Sequence, residues 1–336
     1  MDFLVQYLVQ TVFHSLIIAL VIEGVMGLWR VREPSSQVRF RFLALLLPVV
    51  FFPLYSLAYP QRLGMDFHKG VALIDSDQWL GLGLASGLGG GVTIGHLFWA
   101  VLVLTTLLFA IKEGIPSLRY YLWSRPVLPP IGRGQFPKLD AALAGLALAT
   151  SYPGPTVLLS PEDSPVVHSL GHQAIVVSAS AIEMLDREEL EAVLAHELAH
   201  LKEQDSLLTK ASLAFRFFMF YNPVAFLVFR RIVSDREKIC DDMAVSFTGK
   251  RLALASGLLK VFRRGTASSA PAAMPAEKRE WPLPRISALE SQACSELVKE
   301  RVRRMVGPDR DGGVSYPYFR MGMVVALLAA LLFYVV

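Results

Sequence analysis

The residues best suited to chemistry sit in EAVLAHELAHLKEQD, residues 191–205. His196 and His200 are four positions apart, and Glu197 directly follows the first. In a helix, side chains four apart stack on one face. Two imidazoles placed that way reach a single ion at roughly 2.0–2.1 Å, the usual Zn–N distance. Glu197, one position on, stands beside such an ion and can take a proton from a zinc-bound water without ligating the metal. The plain alternative is a helix with two surface histidines, and HExxH alone does not decide between them. A catalytic zinc also needs a third protein ligand and an open fourth position. SDREKICDDMAV, residues 234–245, offers Glu237, 37 positions after His200 and within a second helical pattern. Asp241 follows four residues later on the same face, where it can hold the other ring nitrogen of a ligand histidine.

These side chains need elements to position them. Asp186 with Glu189 three residues on is a capping-box signature. Leu190, Val193, Leu194 and Leu198 make an apolar stripe at helical spacing, so a helix is expected over 187–203. LDAALAGLALAT (139–150) and SALESQACSELVKERVRRM (287–305) also have helical spacing. PTVLLS (155–160) and QAIVVSAS (173–180) have the β-branched content of strands. Residues 126–138 have the proline and glycine content of a linker, and 264–285 the alanine, proline and serine content of a mobile connection. Ile175–Val177, shortly before the HExxH helix, is expected to be a sheet edge onto which an extended substrate adds. A second group to polarise a substrate carbonyl is also expected, with His168, His172, Tyr221 and Arg236 all open as candidates.

HELAHLKEQD, FYNPVAFLVFRR and REKICDD together resemble the integral-membrane metallopeptidases typified by the BlaR/MecR signal transducers. The likeness covers residues 115–305 well and the apolar blocks only by topology. It is more distant to the HtpX-type membrane proteases. The resemblance implies His196, His200 and Glu237 as ligands of one Zn2+ per chain and Glu197 as general base. It further implies support from Asp241 and from the trailing Asp205. Family members that sense β-lactams carry a penicillin-binding domain beyond the last span. These residues stop at Val336 and show no S-x-x-K motif there, so β-lactam sensing is not expected of them.

The chain has 336 residues, 53% of them hydrophobic, with a mean hydropathy of +0.44. The excess lies in blocks at 3–29, 42–59, 93–111 and 321–336. Each is near the roughly 20 apolar residues that cross a bilayer. Arg30, Arg32, Arg39 and Arg41 crowd the first link, and Lys112, Arg119, Arg125, Arg133 and Lys138 follow the third block. Arg301, Arg303, Arg304, Arg310 and Arg320 precede the fourth, whereas the 60–92 loop carries Asp66, Asp75 and Asp77. Under the positive-inside rule the N-terminus and the 60–92 loop are outside, and 112–320 is cytoplasmic. No basic stripe interleaves with aromatics, so direct nucleic-acid binding is not expected. The GLGLASGLGGG run (81–91) follows no strand and fits no phosphate-binding pattern. The first block lacks a cleavage motif and is expected to be an anchor. Cys240 and Cys294, the only cysteines, fall on the predicted cytoplasmic side, where a disulfide is not expected. His14, His96 and Glu23, in or beside the blocks, are expected to pack as polar groups inside the bundle.

A fifth apolar stretch, 211–233, separates His200 from Glu237. A single crossing there would put the ligands on opposite faces about 30 Å apart. If the three residues meet, the stretch must return to its starting side, and Asn222-Pro223 is a suitable break. It is expected to be a membrane-skimming hairpin or a buried helix pair.

The expected fold is mainly α: a membrane protein with about four transmembrane helices. Residues 1–112 form a three-span membrane domain and 321–336 the fourth span. A cytoplasmic α+β zinc metallopeptidase domain, gluzincin-like by resemblance, is inserted between the third and fourth spans over 113–320. The expected setting is a bacterial-type inner membrane. The expected partners are the bilayer and a protein substrate, a cytoplasmic repressor among the candidates, with a homodimer also open. The expected activity is zinc-dependent endopeptidase in regulated proteolysis. The alternatives are quality control of the HtpX kind and a non-enzymatic membrane scaffold.

Overall fold

The first apolar block folds as one helix, α1 (Phe3–Leu28), and the second as α2 (Pro34–Ala58). The computed structural model describes residues 3–63, 80–83, 92–115, 118, 128–150, 154–170, 173–204, 207–267, 288–307 and 318–334. Asp66, Asp75, Asp77, most of the glycine-rich run, Arg119, Arg125, His172, Asp205, Arg310 and most of 264–285 lie outside those residues, as does the side chain of Cys294. In chain order there follow α3 (Ile94–Phe109), α4 (Pro137–Thr150), β1 (Thr156–Ser160), β2 (Val167–Leu170), β3 (Ala174–Ser178) and α5 (Ala179–Met184). Then come α6 (Arg187–Gln204), α7 (Leu207–Phe218), α8 (Pro223–Thr248), α9 (Arg251–Ala267), α10 (Ala288–Val306) and α11 (Tyr318–Tyr334). Three helical segments, Leu4–Leu28, Pro34–Ala58 and Ile94–Gly114, are long and apolar enough to cross a membrane; α11 is apolar but shorter.

The chain forms two compact units. The first comprises residues 1–111, 211–235 and 311–336, and the second 112–210 and 236–310.

In the first unit α2 begins at Pro34, not at the apolar boundary at 42. Proline costs nothing at a first helical position, because that N–H has no intrahelical partner. Glu33 receives the Ser36 hydroxyl at 2.6 Å, which fixes the entry. Arg41 is accommodated inside the helix because Glu23 of α1 and Asp235 of α8 both pair with it. Arg231 completes this ionic set, 2.7 Å from Glu23. His96 is not in the bundle interior as expected. It is exposed and closes a capping box with Thr93, because the start of α3 leaves backbone N–H groups to satisfy.

The turn between α7 and α8 falls at the expected break. Asn222 Oδ1 accepts the N–H groups of Val224 and Ala225 at 2.9 and 3.2 Å, and so starts α8. Its Nδ2 donates to Ser15 Oγ of α1 at 2.9 Å, and the Tyr221 hydroxyl lies 2.8 Å from Thr11 Oγ1. The YNP sequence therefore pins the turn to α1. Arg216 of α7 is buried with its guanidinium over the rings of Phe109 and Phe226.

The second unit holds a three-stranded sheet in the order β1-β3-β2, with β1 parallel and β2 antiparallel to β3. Ile175–Val177 is thus the central strand, which corrects the expectation of an edge. Its side chains are buried on both faces, as an uninterrupted Ile-Val-Val run requires. The edges are β1 and β2. The strand stops at Ser178, whose hydroxyl receives the Ala181 N–H and starts α5. Leu190, Val193, Leu194 and Leu198 of α6 are buried in one core with Ile175, Val177, Leu139, Leu146 and Leu254.

The predicted capping box forms: Asp186 N–H donates to Glu189, and Glu189 N–H to Asp186, at 3.0 and 2.8 Å. Glu189 is buried and also receives Lys260 and Ser256 of α9 at 2.6 Å each. Burial raises its pKa, but Lys260, Ser256 and the Asp186 N–H outweigh that and hold the carboxyl below its ordinary range. A carboxylate depressed on folding stabilises fully above its unfolded pKa, and loses that contribution as pH falls through the folded value. Lys260→Met should therefore lower stability at pH 7 by about 1–2 kcal/mol. The gap from wild type should shrink on acidification below the ordinary carboxylate range. Denaturant unfolding at pH 7 and pH 3 checks both statements.

Candidate metal centre

α6 presents His196 and His200 on one face, and α8 brings Glu237 to them. The two Nε2 atoms are 3.0 Å apart. Glu237 Oε2 lies 3.5 Å from His196 Nε2, and Oε1 lies 3.4 Å from His200 Nε2. One ligand atom from each residue fits within 4.8 Å of the others, close enough to share one ion. Two imidazole nitrogens and one carboxylate are the donor set of a His2Glu zinc site. Glu237 and Asp241 occur on one continuous 26-residue helix that starts within the apolar stretch, not on a separate acidic helix. Because His200 and Glu237 meet, the chain between them returns to the side it left. α7, at 12 residues and roughly 18 Å, is too short to cross.

The ring nitrogens that face away from the ligand point are also engaged. Asp241 Oδ1 lies 3.1 Å from His196 Nδ1, both residues being buried. Such a carboxylate fixes the tautomer and orientation of a ligand imidazole. His200 Nδ1 faces the Cys240 thiol at 3.4 Å. Burial pushes that thiol's pKa up, so Cys240 stays neutral. Sequence reasoning missed this contact, although Cys240 lies in the same REKICDD motif.

Glu197 is buried, and its Oε2 accepts the backbone N–H of Ser169 at 2.7 Å. Ser169 belongs to β2, one of the two edge strands. Ser178 N–H donates to Val166 O, and paired and unpaired positions alternate along an antiparallel ladder. The N–H and C=O groups of Val167 and Ser169 therefore point away from β3, along the edge nearest Glu197.

A cation completes the centre. Arg301 of α10 places Nη1 2.9 Å from Glu237 Oε2, and its Nε and Nη2 donate to Asp241 at 2.8 and 2.6 Å. In the sequence Arg301 is one of the basic residues that precede the fourth block. No local signal marks it, because it is 60 positions beyond Asp241. Burial raises the Glu237 pKa, but His200, His196 and Arg301 together hold it well below the ordinary range. Burial likewise raises Asp241, and Arg301 and His196 outweigh it. Burial and Arg301 act to lower His196, yet Asp241 and Glu237 prevail and hold its pKa up at about 9. A metal ion taking this imidazole displaces that proton.

Tyr221 is bonded to Thr11 in the first unit. His168 is on β2, and Arg236 precedes Glu237 on α8.

Residues 96–288 match the model of a family described as BlaR1 peptidase M56. The chain is similar to a protease HtpX homolog from Levilactobacillus brevis, 30% identical over 37% of this chain and 45% of that protein. A protease HtpX homolog from Acidiphilium cryptum is 30% identical over 42% of this chain and 63% of its own length. The methicillin resistance protein mecR1 of Staphylococcus aureus is 29% identical over 24% of this chain and 14% of that protein. The chain thus spans less than two thirds of each of these relatives.

Proposed function

The chain belongs to the BlaR1 peptidase M56 family, and from that premise we propose that it is a membrane-embedded, zinc-dependent endopeptidase. One observation carries the reading: the imidazoles of His196 and His200 and the carboxylate of Glu237 converge within 4.8 Å, with Glu197 on the same helix. When bound, zinc lowers the pKa of a water and polarises the scissile carbonyl.

The chain's own residues do the rest. Glu197 takes a proton at its carboxylate and returns it to the leaving amine. The Ser169 N–H holds Oε2 in place, so the proton is received at a fixed position. Asp241 keeps Nδ1 of His196 protonated and turns Nε2 toward the ligand point. An extended peptide adds to the edge of β2, at the outward N–H and C=O of Val167 and the outward C=O of Ser169, because backbone pairing accepts any sequence while pockets select side chains. This edge replaces the Ile175–Val177 edge expected from the sequence.

The placement of basic residues in the links supports an N-terminus outside and a cytoplasmic second unit. The exposed apolar side chains of Leu213, Phe217 and Phe218 on α7 rest in the bilayer surface. The substrate is a cytoplasmic or membrane-proximal protein, cut in regulated proteolysis. The HtpX homologs match a larger share of the chain than mecR1 does, which favours quality control of membrane proteins as the second reading.

Metal removal tests the core of this proposal. Purified full-length chain should carry one zinc per molecule. Dialysis against a chelator should stop cleavage of an unfolded protein such as casein, and one equivalent of zinc should restore it. Cleavage that survives complete metal removal would refute the reading.

A further inference from the structure

The cation at the metal centre comes from outside the segment matched to the family. That match ends at residue 288, where α10 begins. The guanidinium of Arg301 has five N–H donors in a plane. On one edge Nε donates to Asp241 Oδ2 at 2.8 Å and Nη2 to Oδ1 at 2.6 Å. This pair braces the carboxylate that faces His196. On the other edge Nη1 stands 2.9 Å from Glu237 Oε2, and Nη2 stands 3.2 Å from His196 Nε2. A residue needed only to brace Asp241 would require the first edge alone. The second edge holds a fixed positive charge against two of the three groups that would bind a dication, which opposes metal binding. Glu237 offsets part of that charge, and an anion that forms there during the reaction would use the rest.

The donor inventory shows where that anion would bind. Once the lone pair of His196 Nε2 goes to a metal, it no longer accepts from Nη2. One N–H of Nη2 and the second N–H of Nη1 are then free for a ligand. The scissile carbonyl oxygen gathers negative charge as its carbon is attacked, and donors aimed at such an oxygen act most strongly in a buried site. We propose that Arg301 is a catalytic residue that binds this oxygen in the transition state, an inference that rests on the endopeptidase reading above. Arginine suits the task because it stays charged and holds its donors in a rigid fork. The backbone of α10 is anchored separately. Arg304 pairs with Asp242 at 2.6 Å and donates to Lys238 O at 3.2 Å, and Lys238 pairs with Glu300 at 2.8 Å.

The test uses zinc-loaded full-length chain and a quenched-fluorescent peptide chosen from a library by wild-type cleavage. A phosphinic analogue of that peptide mimics the tetrahedral anion. Arg301→Met should lower kcat about 100-fold, with KM within about threefold and zinc content unchanged. The phosphinic analogue should bind more weakly by a similar factor, while the product peptides bind as before. Arg301→Lys should recover part of the loss, and Arg304→Ala should leave kcat within about threefold of wild type. Three outcomes overturn the proposal: unchanged kcat in Arg301→Met, an equal loss in Arg304→Ala, or a failure of Arg301→Met to hold zinc at saturation. Normal wild-type cleavage beside any of these sinks the role of Arg301 alone. A zinc-loaded wild type that cleaves no peptide sinks the endopeptidase reading as well.

Discussion

Glu197→Gln should keep its zinc and lose cleavage by about 10⁴-fold, the upper end of what a positioned acid–base group contributes. The amide has the same shape, and its oxygen can still accept the Ser169 N–H that meets Glu197 Oε2 at 2.7 Å. What disappears is the ability to take a proton. Glu197 is no member of the converging His-His-Glu set, so metal content should not change. Metal analysis beside steady-state turnover checks both halves. Turnover within tenfold of wild type would assign the proton transfer elsewhere. The inactive variant is also a substrate trap. One dominant cytoplasmic protein recovered with it supports regulated proteolysis, whereas many misfolded membrane proteins support quality control.

The three converging residues were legible in the sequence because helical spacing pairs two of them and a His2Glu donor set calls for the third. His196 and His200 need only the four-residue repeat, and Glu237 stands out once a zinc pair lacks its carboxylate. Asp241 followed from the same repeat. The contacts that escaped are those that spacing does not encode. Arg301 reaches Glu237 and Asp241 from another helix. Cys240 faces His200 by virtue of its rotation on α8. The Ser169 N–H is a backbone group that any residue type would supply.

The fold divides in the same way. α6 was readable from its capping box and apolar stripe, and the break between α7 and α8 from Asn222-Pro223. β2 was missed because VHSL has neither apolar alternation nor length, and its place depends on pairing with β3. That omission led to the wrong edge: with two strands in view, Ile175–Val177 looked peripheral, and the third strand makes it central. The start of α2 was misplaced for a different reason. Arg39 and Arg41 look like a polar link, but partners distant in sequence let Arg41 sit inside a helix.

Those partners make Arg41→Met a strongly destabilising substitution in the first unit. Arg41 joins Glu23 of α1 to Asp235 of α8, and Asp235 is buried. Removing one partner of a buried pair is costly because the remaining charge loses what offset its desolvation, typically about 3–5 kcal/mol. Replacing both partners with apolar groups of similar size is often nearly neutral. Glu23 keeps Arg231 at 2.7 Å in either variant, so the two designs differ chiefly at Asp235. Arg41→Met alone should therefore unfold at markedly lower denaturant in detergent, and Arg41→Met with Asp235→Leu should recover most of the loss. If the double variant is as unstable as the single one, the arginine acts through packing of its stem and not by offsetting Asp235. If neither is destabilised, the cluster is solvated, and α2 is held at this depth by its apolar residues alone.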